Sequence, residues 1–359
     1  MVTIGEFARL SGLTPKALRL YGELGLLPPA RVDPGSGYRF YEPAQLRQAR
    51  LVGWLRRLGM PLARIRVVCE LPPATAAAEI AAYWAESEAD HAARRDLAAL
   101  LISELSREET GMTTPPLEIR YSACTSKGLV REHNQDAVYA GPRVLAVADG
   151  FGPGGDLASA AAVGALQRLE AGGPVALGDL FGLLREAAQQ ANEALPQLVS
   201  SDPSLAGLGT TLTGLLWSAS RLTLVHIGDS RAYLLRDGLL RQITHDHSYV
   251  QRLVDEGRLQ PEEAASHPQR MLLARALDGS PDAAPDLSEV DTRAGDRFLL
   301  CSDGLSRVVP AAAIRDALST APGPAEAVAR LIDLANEAGG PDNIACAVAE
   351  LTPAAALAG

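Results

Sequence analysis

The alternation of apolar and polar residues changes character twice along this chain. Over the first seventy residues it has the three-to-four spacing of short amphipathic helices. Thr3 is placed to cap a helix over residues 4–10, with Glu6 completing a capping box. Ser11, Gly12 and Leu13 make a tight turn, and Thr14 caps a second helix with Pro15 at its first position. Leu18, Tyr21 and Leu24 give that helix one buried face, and Gly25 ends it. Helix, glycine-containing turn, helix is the helix-turn-helix pattern. Residues 28–37, rich in Pro, Gly and Arg, run into the alternating stretch Tyr38-Arg39-Phe40-Tyr41, which predicts a small β-hairpin or wing. Helices are expected again over 44–58 and from Pro61 to about residue 71.

Pro72-Pro73 breaks this texture. Residues 75–109 hold neither Pro nor Gly, and Ile80, Trp84, His91, Ala98, Leu101 and Leu105 fall at threes, fours and sevens. The spacing predicts one long helix, which has little stability alone and needs a partner, most simply its copy in a second subunit. Residues 111–116 read as a linker. Beyond it, strands alternate with helices: helices over 157–169, 176–199, 311–318 and 325–338, strands over 210–217, 221–227 and 232–235. No internal repeat is present, and the tail from residue 354 reads as frayed.

Candidate chemistry gathers where the apolar runs stop. Residues 144–148 run into Asp149-Gly150, residues 298–301 into Ser302-Asp303-Gly304, and residues 222–227 into Gly228-Asp229. Asp342-Asn343 precedes the apolar run 344–348. Carboxylates brought from distant strands with no cationic neighbour repel one another, so a divalent cation is the natural neutraliser. Oxygen donors without a Cys or His cluster point to a hard ion such as Mg2+ or Mn2+. The Asp-Gly pairs at 237 and 278 read as plain turns.

The net charge of −10 hides an asymmetry. Residues 1–71 carry eleven Arg or Lys against five Asp or Glu, a local balance of +6, so the remainder carries −16. A basic head on an acidic body implies that only the head meets a polyanion. Four scattered cysteines without CxxC spacing argue against a zinc site or a disulfide framework. With no long uncharged apolar run and no signal-like start, the expectation is a cytoplasmic protein with no membrane span.

Residues 3–71 resemble the MerR family of bacterial transcription regulators. The resemblance rests on Thr3-Ile4-Gly5-Glu6, Ala17-Leu18-Arg19-Leu20-Tyr21, Gly25-Leu26-Leu27-Pro28, Gly37-Tyr38-Arg39-Phe40-Tyr41 and Leu58-Gly59-Met60. It implies a winged helix-turn-helix that enters the major groove of double-stranded DNA, with the long helix pairing antiparallel in a homodimer. Arg19, Tyr21, Arg31, Tyr38 and Arg39 are its DNA-contact candidates. Leu20 and Glu23 depart from the family's aromatic and basic residues, and a lone Cys69 supplies no thiol cluster for metal sensing.

Residues 119–351 resemble the PPM (type 2C) metal-dependent serine/threonine protein phosphatases. The matching motifs fall in order: residues 125–136 ending in Arg131-Glu132-His133-Asn134-Gln135-Asp136, then Asp149-Gly150, Gly209-Thr210-Thr211, Ile227-Gly228-Asp229-Ser230-Arg231, Asp246-His247-Ser248, His267-Pro268-Gln269-Arg270, Ser302-Asp303-Gly304 and Asp342-Asn343. The resemblance implies an αββα sandwich of two antiparallel sheets flanked by helices. Asp149 would bridge two metals with the Gly150 carbonyl on one, Asp303 and Asp342 would complete the first site, and Asp229 with Asp303 would hold a third, weaker ion. Asp136 would anchor the metal-held water and Arg131 would grip the phosphate. Phe151 stands where some members carry a histidine general acid, so water is expected to supply the leaving-group proton.

The expected organisation is therefore multi-domain. It has an all-α winged helix-turn-helix over 1–71, a long dimerisation helix over 72–110, a linker over 111–117, an α+β phosphatase domain over 118–353 and a tail over 354–359. The expected function is Mg2+- or Mn2+-dependent hydrolysis of phosphoserine and phosphothreonine on proteins, coupled to a DNA-binding head. Two competing readings remain at this stage. One is a transcription regulator whose phosphatase-like body is a sensor or partner-binding module without turnover; the other gives the head dimerisation alone.

Overall fold

Thr3 Oγ1 accepts the amide hydrogen bond of Glu6 at 3.4 Å and Thr14 Oγ1 that of Ala17 at 3.1 Å, so both expected caps start their helices. In this computed structural model those helices are Ile4–Ser11 and Pro15–Glu23. The structure describes residues 1–84, 87, 117–172, 177–218, 221–264, 266–281 and 283–353. Most of the expected dimerisation helix (helical over 73–84), the linker and the tail lie outside the described residues. The chain divides into two compact units, Met1–Ala93 and Arg94–Gly359.

In the first unit, β1 (Val2–Thr3), β2 (Arg31–Val32) and β3 (Arg39–Tyr41) form a small antiparallel sheet in the order β1-β3-β2. The wing hairpin is β2 with β3, and the chain start adds a strand that the sequence pattern did not predict. Two helices follow, Leu46–Arg57 after a single tight turn at Pro43–Gln45, and Leu62–Glu70. They close over Phe7, Leu18, Leu27, Tyr41, Met60 and Ile65, all fully buried. The rings of Phe7 and Tyr41 stack at 4.5 Å. One expectation needs correction: Leu24 caps its helix facing solvent at 45% exposure, while Leu18 and Tyr21 are buried as the helix pattern predicts.

The second unit holds β4 (Leu117–Ser126), β5 (Asp136–Ala140), β6 (Val144–Phe151), β7 (Gly209–Thr210), β8 (Leu212–Ser218), β9 (Arg221–Ile227) and β10 (Arg231–Arg236). Beyond these come β11 (Leu239–Gln242), β12 (Asp286–Val290), β13 (Arg297–Cys301) and β14 (Ile344–Pro353). One sheet runs β11-β10-β13-β14-β4 and the other β12-β9-β8-β6-β5, with β7 paired to the end of β6. Every pairing among the described strands is antiparallel. The two inner faces meet through Leu145, Val147, Leu215, Leu234, Phe298 and Ala347. Helices Gly155–Gln167 and Leu177–Ser201 cover one sheet. Helices Ala311–Thr320 and Pro324–Glu337 cover the other, which completes four layers.

The turn from β10 to β11 is Asp237-Gly238, with φ of 51° and 76°, the two left-handed residues in a row that a tight hairpin requires. The strand expected over 210–217 breaks at Thr211. Its amide donates to the Asp149 carbonyl at 2.9 Å and its Oγ1 accepts from the Asp149 amide at 2.9 Å. That clamp fixes the backbone of Asp149 from both sides.

Truncating Phe7 removes a fully buried ring and its stacking partner's contact, so Phe7→Ala should destabilise the first unit by about 3–5 kcal/mol. A shift of its denaturant midpoint that leaves the second unit's transition unchanged is the expected result.

Candidate active site

Five carboxylates reach one end of the sandwich from five separate elements. Asp136 opens β5 and lies opposite Asp149 in register with β6. Asp229 follows β9, Asp303 begins the short helix Asp303–Ser306 after β13, and Asp342 stands just before β14. Asp149 sits two residues inside β6 rather than at its end, because β7 extends the pairing through Gly150 and Phe151. The glycine after Asp149 and the one after Asp303 are required by close approach. A Cβ on Gly150 would collide with the Gly155 carbonyl, and one on Gly304 with that of Asn343.

A cleft of about 690 Å³ opens over this end, lined by Arg131, Asp149, Asp229, Asp303, Arg307 and Asp342, among others. Asp136 lies nearly buried beside it. Ser302 Oγ donates to Asp136 Oδ2 at 2.6 Å and accepts from the Ala345 amide at 2.9 Å, while Asp136 Oδ1 is buried without a hydrogen-bond partner. Asn343 braces the loop that presents Arg131. Its Nδ2 donates to the carbonyls of Lys127 at 3.0 Å and His133 at 2.9 Å, and its Oδ1 accepts from the Gln135 amide at 2.8 Å.

The electrostatics are those of crowded anions. Burial, with Asp303 and Asp342 nearby, pushes Asp136 up to about 7 despite the Ser302 hydrogen bond. Burial, then Asp136, Asp303 and Asp229, hold Asp149 well above the ordinary carboxylate range. Burial and Asp303 push Asp229 up to about 6, and burial raises Asp303 against the pull of Arg307. The premise of carboxylates without a cationic neighbour is corrected. Arg307 Nη2 lies 2.7 Å from Asp229 Oδ2, Arg307 Nε lies 2.9 Å from Asp303 Oδ2, and Arg131 Nη2 lies 2.8 Å from Asp342 Oδ2.

Arg307 was not singled out from the sequence, although its spacing of four from Asp303 is the one signal that offered it. Among the described residues no three Cys, His, Asp or Glu side chains already enclose a single point. The donor set still fits a hard divalent ion. It is all oxygen, anionic, mutually repelling, and carries the unpartnered Asp136 Oδ1.

Among the described residues no histidine side chain is hydrogen-bonded or ion-paired to these carboxylates. Buried His226, lowered to about 3 by burial and by His247, bonds Thr213 Oγ1 and the His245 carbonyl, each at 3.0 Å. His247 Nδ1 accepts from the Gly228 amide at 3.1 Å and Nε2 meets Asp286 Oδ2 at 3.0 Å. In the first unit Arg19, Arg31 and Tyr38 are exposed, with Arg31 over the Phe40 ring at 5.0 Å. Arg39 is half-buried and 3.7 Å from Glu23, and Tyr21 points into the core instead of outward.

Two packed antiparallel sheets with an acidic cleft at one end define a class, and residues 124–349 match the family described as Protein phosphatase 2C. The chain belongs to that family. Residues 2–71 match the family described as MerR HTH family regulatory protein. The chain is 51% identical over 242 residues to the serine/threonine protein phosphatase PstP of Mycobacterium tuberculosis, a match covering 67% of this chain and 46% of that protein. It thus spans about half the length of that relative. Identity to the serine/threonine phosphatase stp of Listeria welshimeri is 34%, covering 63% of this chain and 93% of the relative. The crystal structure of the M. tuberculosis phosphatase PstP/Ppp superposes with a TM-score of 0.63 at 51% identity, over 66% of this chain and 99% of that one. The PstP catalytic domain in complex with two manganese ions superposes with a TM-score of 0.61 at 49% identity, over 66% and 100%.

Carboxyls raised on folding contribute stability that is present below their unfolded pKa and lost as pH rises through the folded one, here about 6 to 7. His226 acts in the opposite sense, but only below about 6.5. Chelated protein should therefore gain thermal stability between about pH 8 and pH 6.5. Asp149→Asn should raise Tm at pH 8 and flatten that slope. Mn2+ at a hundred times its Kd should stabilise the unaltered chain by about 2.7 kcal/mol and the variant by much less.

Proposed function

We propose that this chain is a metal-dependent phosphoserine/phosphothreonine protein phosphatase carrying a DNA-binding head. The observation that carries the reading is the convergence of Asp149, Asp229, Asp303 and Asp342 on one cleft with Asp136 buried beside it, the carboxyls of Asp136, Asp149, Asp229 and Asp303 raised and an arginine at the edge. Asp149, with the Gly150 carbonyl, Asp303 and Asp342, would hold a pair of Mg2+ or Mn2+ ions. Held there, the ions would supply Lewis acidity, making water a nucleophile and offsetting charge on the entering and leaving oxygens of an in-line displacement.

The protein's own groups do the rest. Asp136 Oδ2 is taken by Ser302, so Oδ1 is the atom left to accept a proton from the attacking water. Arg131 is exposed at the cleft edge, and its planar fork suits two oxygens of a phosphoryl group once it turns from Asp342. Thr211 and Asn343 hold the Asp149 backbone and the Arg131 loop in place. With Phe151 after Gly150 and no histidine there, water protonates the leaving serine or threonine oxygen.

For the head we infer contact with double-stranded DNA through Arg19, Arg31, Tyr38 and Arg39, with Tyr21 supporting them from the core. The basic balance of residues 1–71 supports this reading. The chain is proposed to act in the cytoplasm as a homodimer joined through residues 72–110. Among the described residues no helix is long and apolar enough to cross a membrane.

Hydrolysis of para-nitrophenyl phosphate should require Mn2+, vanish on chelation and fall by orders of magnitude in Asp149→Asn. If turnover persists under both treatments, the metal-dependent reading is wrong. If EDTA alters DNA binding while no phosphate is ever released, the domain is a sensor. Arg131→Ala should lower kcat/KM about 10- to 100-fold, the loss of charge-assisted hydrogen bonds to phosphate. Separately, Arg19→Ala should weaken DNA binding and reduce the steepness of its salt dependence, read by anisotropy across a salt series.

A further inference from the structure

The acidic cleft contains a cation that belongs to the chain. Arg307 follows the helix Asp303–Ser306 and turns back over it, so its Nε meets Asp303 Oδ2 at 2.9 Å, four residues earlier. The other arm of the same guanidinium reaches Asp229 Oδ2 at 2.7 Å, 78 residues away in sequence. The side chains of Asp229 and Asp303 are 9% and 10% exposed and that of Arg307 is 27% exposed, so the three form a nearly buried ionic bridge. Burial works to lower the guanidinium's pKa, yet Asp303 and Asp229 hold it above its ordinary value.

Asp229 and Asp303 are the pair on which the family resemblance implies a third, weaker ion. We propose that Arg307 takes the place of that ion, so that the chain binds its catalytic cations at Asp149 and leaves no vacancy between Asp229 and Asp303. A guanidinium fork offers each carboxylate a directed N–H bond and cannot be lost by deprotonation in a protein. A divalent ion entering between the two carboxylates would have to displace it and break both of its charge-assisted bonds. Among the described residues Arg307 makes no ion pair with Asp149 or Asp342, so Asp149 stays available to metal, as does Asp342 once Arg131 turns from it.

The same guanidinium extends the bridge to the segment that overhangs the cleft. Arg307 Nη1 contacts Met271 Sδ, and Nη2 lies 3.5 Å from the Arg270 carbonyl. Met271 and Leu272 are each half exposed and line the cleft with Ala274 and Arg275. Occupancy by a covalently attached cation does not vary with metal concentration. The position of this segment is therefore set by the sequence rather than by a loosely bound ion. Arg307 is in this sense a positioning residue: it touches the metal-binding carboxylates and the overhanging segment.

The proposal rests on the metal-dependent reading above, and counting Mn2+ on the full chain separates the two. Isothermal titration with electron paramagnetic resonance of free Mn2+ should find two bound ions in the unaltered protein, with the count unchanged in Asp229→Asn. Arg307→Ala should gain one further, weaker Mn2+, and that gain should disappear in Arg307→Ala combined with Asp229→Asn. Arg307→Lys, which keeps a cation in place, should stay at two. Arg307→Gln repeats the test with a side chain of similar length should the alanine variant lose its tight ions through misfolding. A third ion in the unaltered chain that Asp229→Asn removes would overturn the proposal, as would a count that stays at two in both neutral variants. Absence of any bound Mn2+ in the unaltered chain would instead overturn the metal-dependent reading, and this proposal with it.

Discussion

Mutual repulsion among carboxylates held at one end of a sandwich is the constraint around which the rest of the second unit is arranged. Burial and crowding raise Asp136, Asp149, Asp229 and Asp303 together, so the fold holds them in a configuration that unneutralised anions resist. The surrounding structure withstands that strain. Antiparallel pairing of β5 with β6 fixes Asp136 opposite Asp149, Thr211 grips the Asp149 backbone from both sides, and Ser302 ties Asp136 to the start of β14. The apolar layer between the sheets supplies the rigidity. Such an arrangement gives up stability in the metal-free chain and recovers it when a cation binds.

Neutralisation is divided between the chain and the solution. Arg131 and Arg307 each take up part of the negative charge, but they differ in kind. Arg131 is exposed and meets Asp342 at the cleft edge, from which, in the proposed reading, it would turn to a substrate. Arg307 is more enclosed, bridges two carboxylates, and touches the overhanging segment as well. One arginine is suited to bind and release, the other to stay. In the proposed reading Asp149 and the unpartnered Asp136 Oδ1 would take what the chain does not provide, a hard metal ion and its water.

Much of this was legible in the sequence wherever the governing interaction is local. Thr3 and Thr14 cap helices three residues ahead, Asp237-Gly238 forms its turn by itself, and apolar runs mark strands whichever partner they find. The Asp-Gly pairs at 149 and 303 could be told from that turn by their ordered motifs, and the structure supplies the reason for the glycine in the carbonyls packed against it. Interactions across the chain were not legible. The bridge from Arg307 to Asp229 depends on the start of β10 pairing with the end of β13, Arg231 opposite Cys301, and no spacing within either segment encodes that. Spacing did place Tyr21 on the buried face of its helix, where it lies, whereas only the resemblance offered it to DNA. The break at Thr211 arises from hydrogen bonds to Asp149, a residue on another strand.

The most direct test of the central claim is anomalous diffraction from crystals of the full chain equilibrated with Mn2+. The account predicts a pair of anomalous peaks beside Asp149, each within inner-sphere distance of a carboxylate oxygen at roughly 2.0–2.4 Å. It also predicts continuous guanidinium density, with no peak, between Asp229 and Asp303. Maps showing no manganese at Asp149 at saturating concentration would contradict the account at its root.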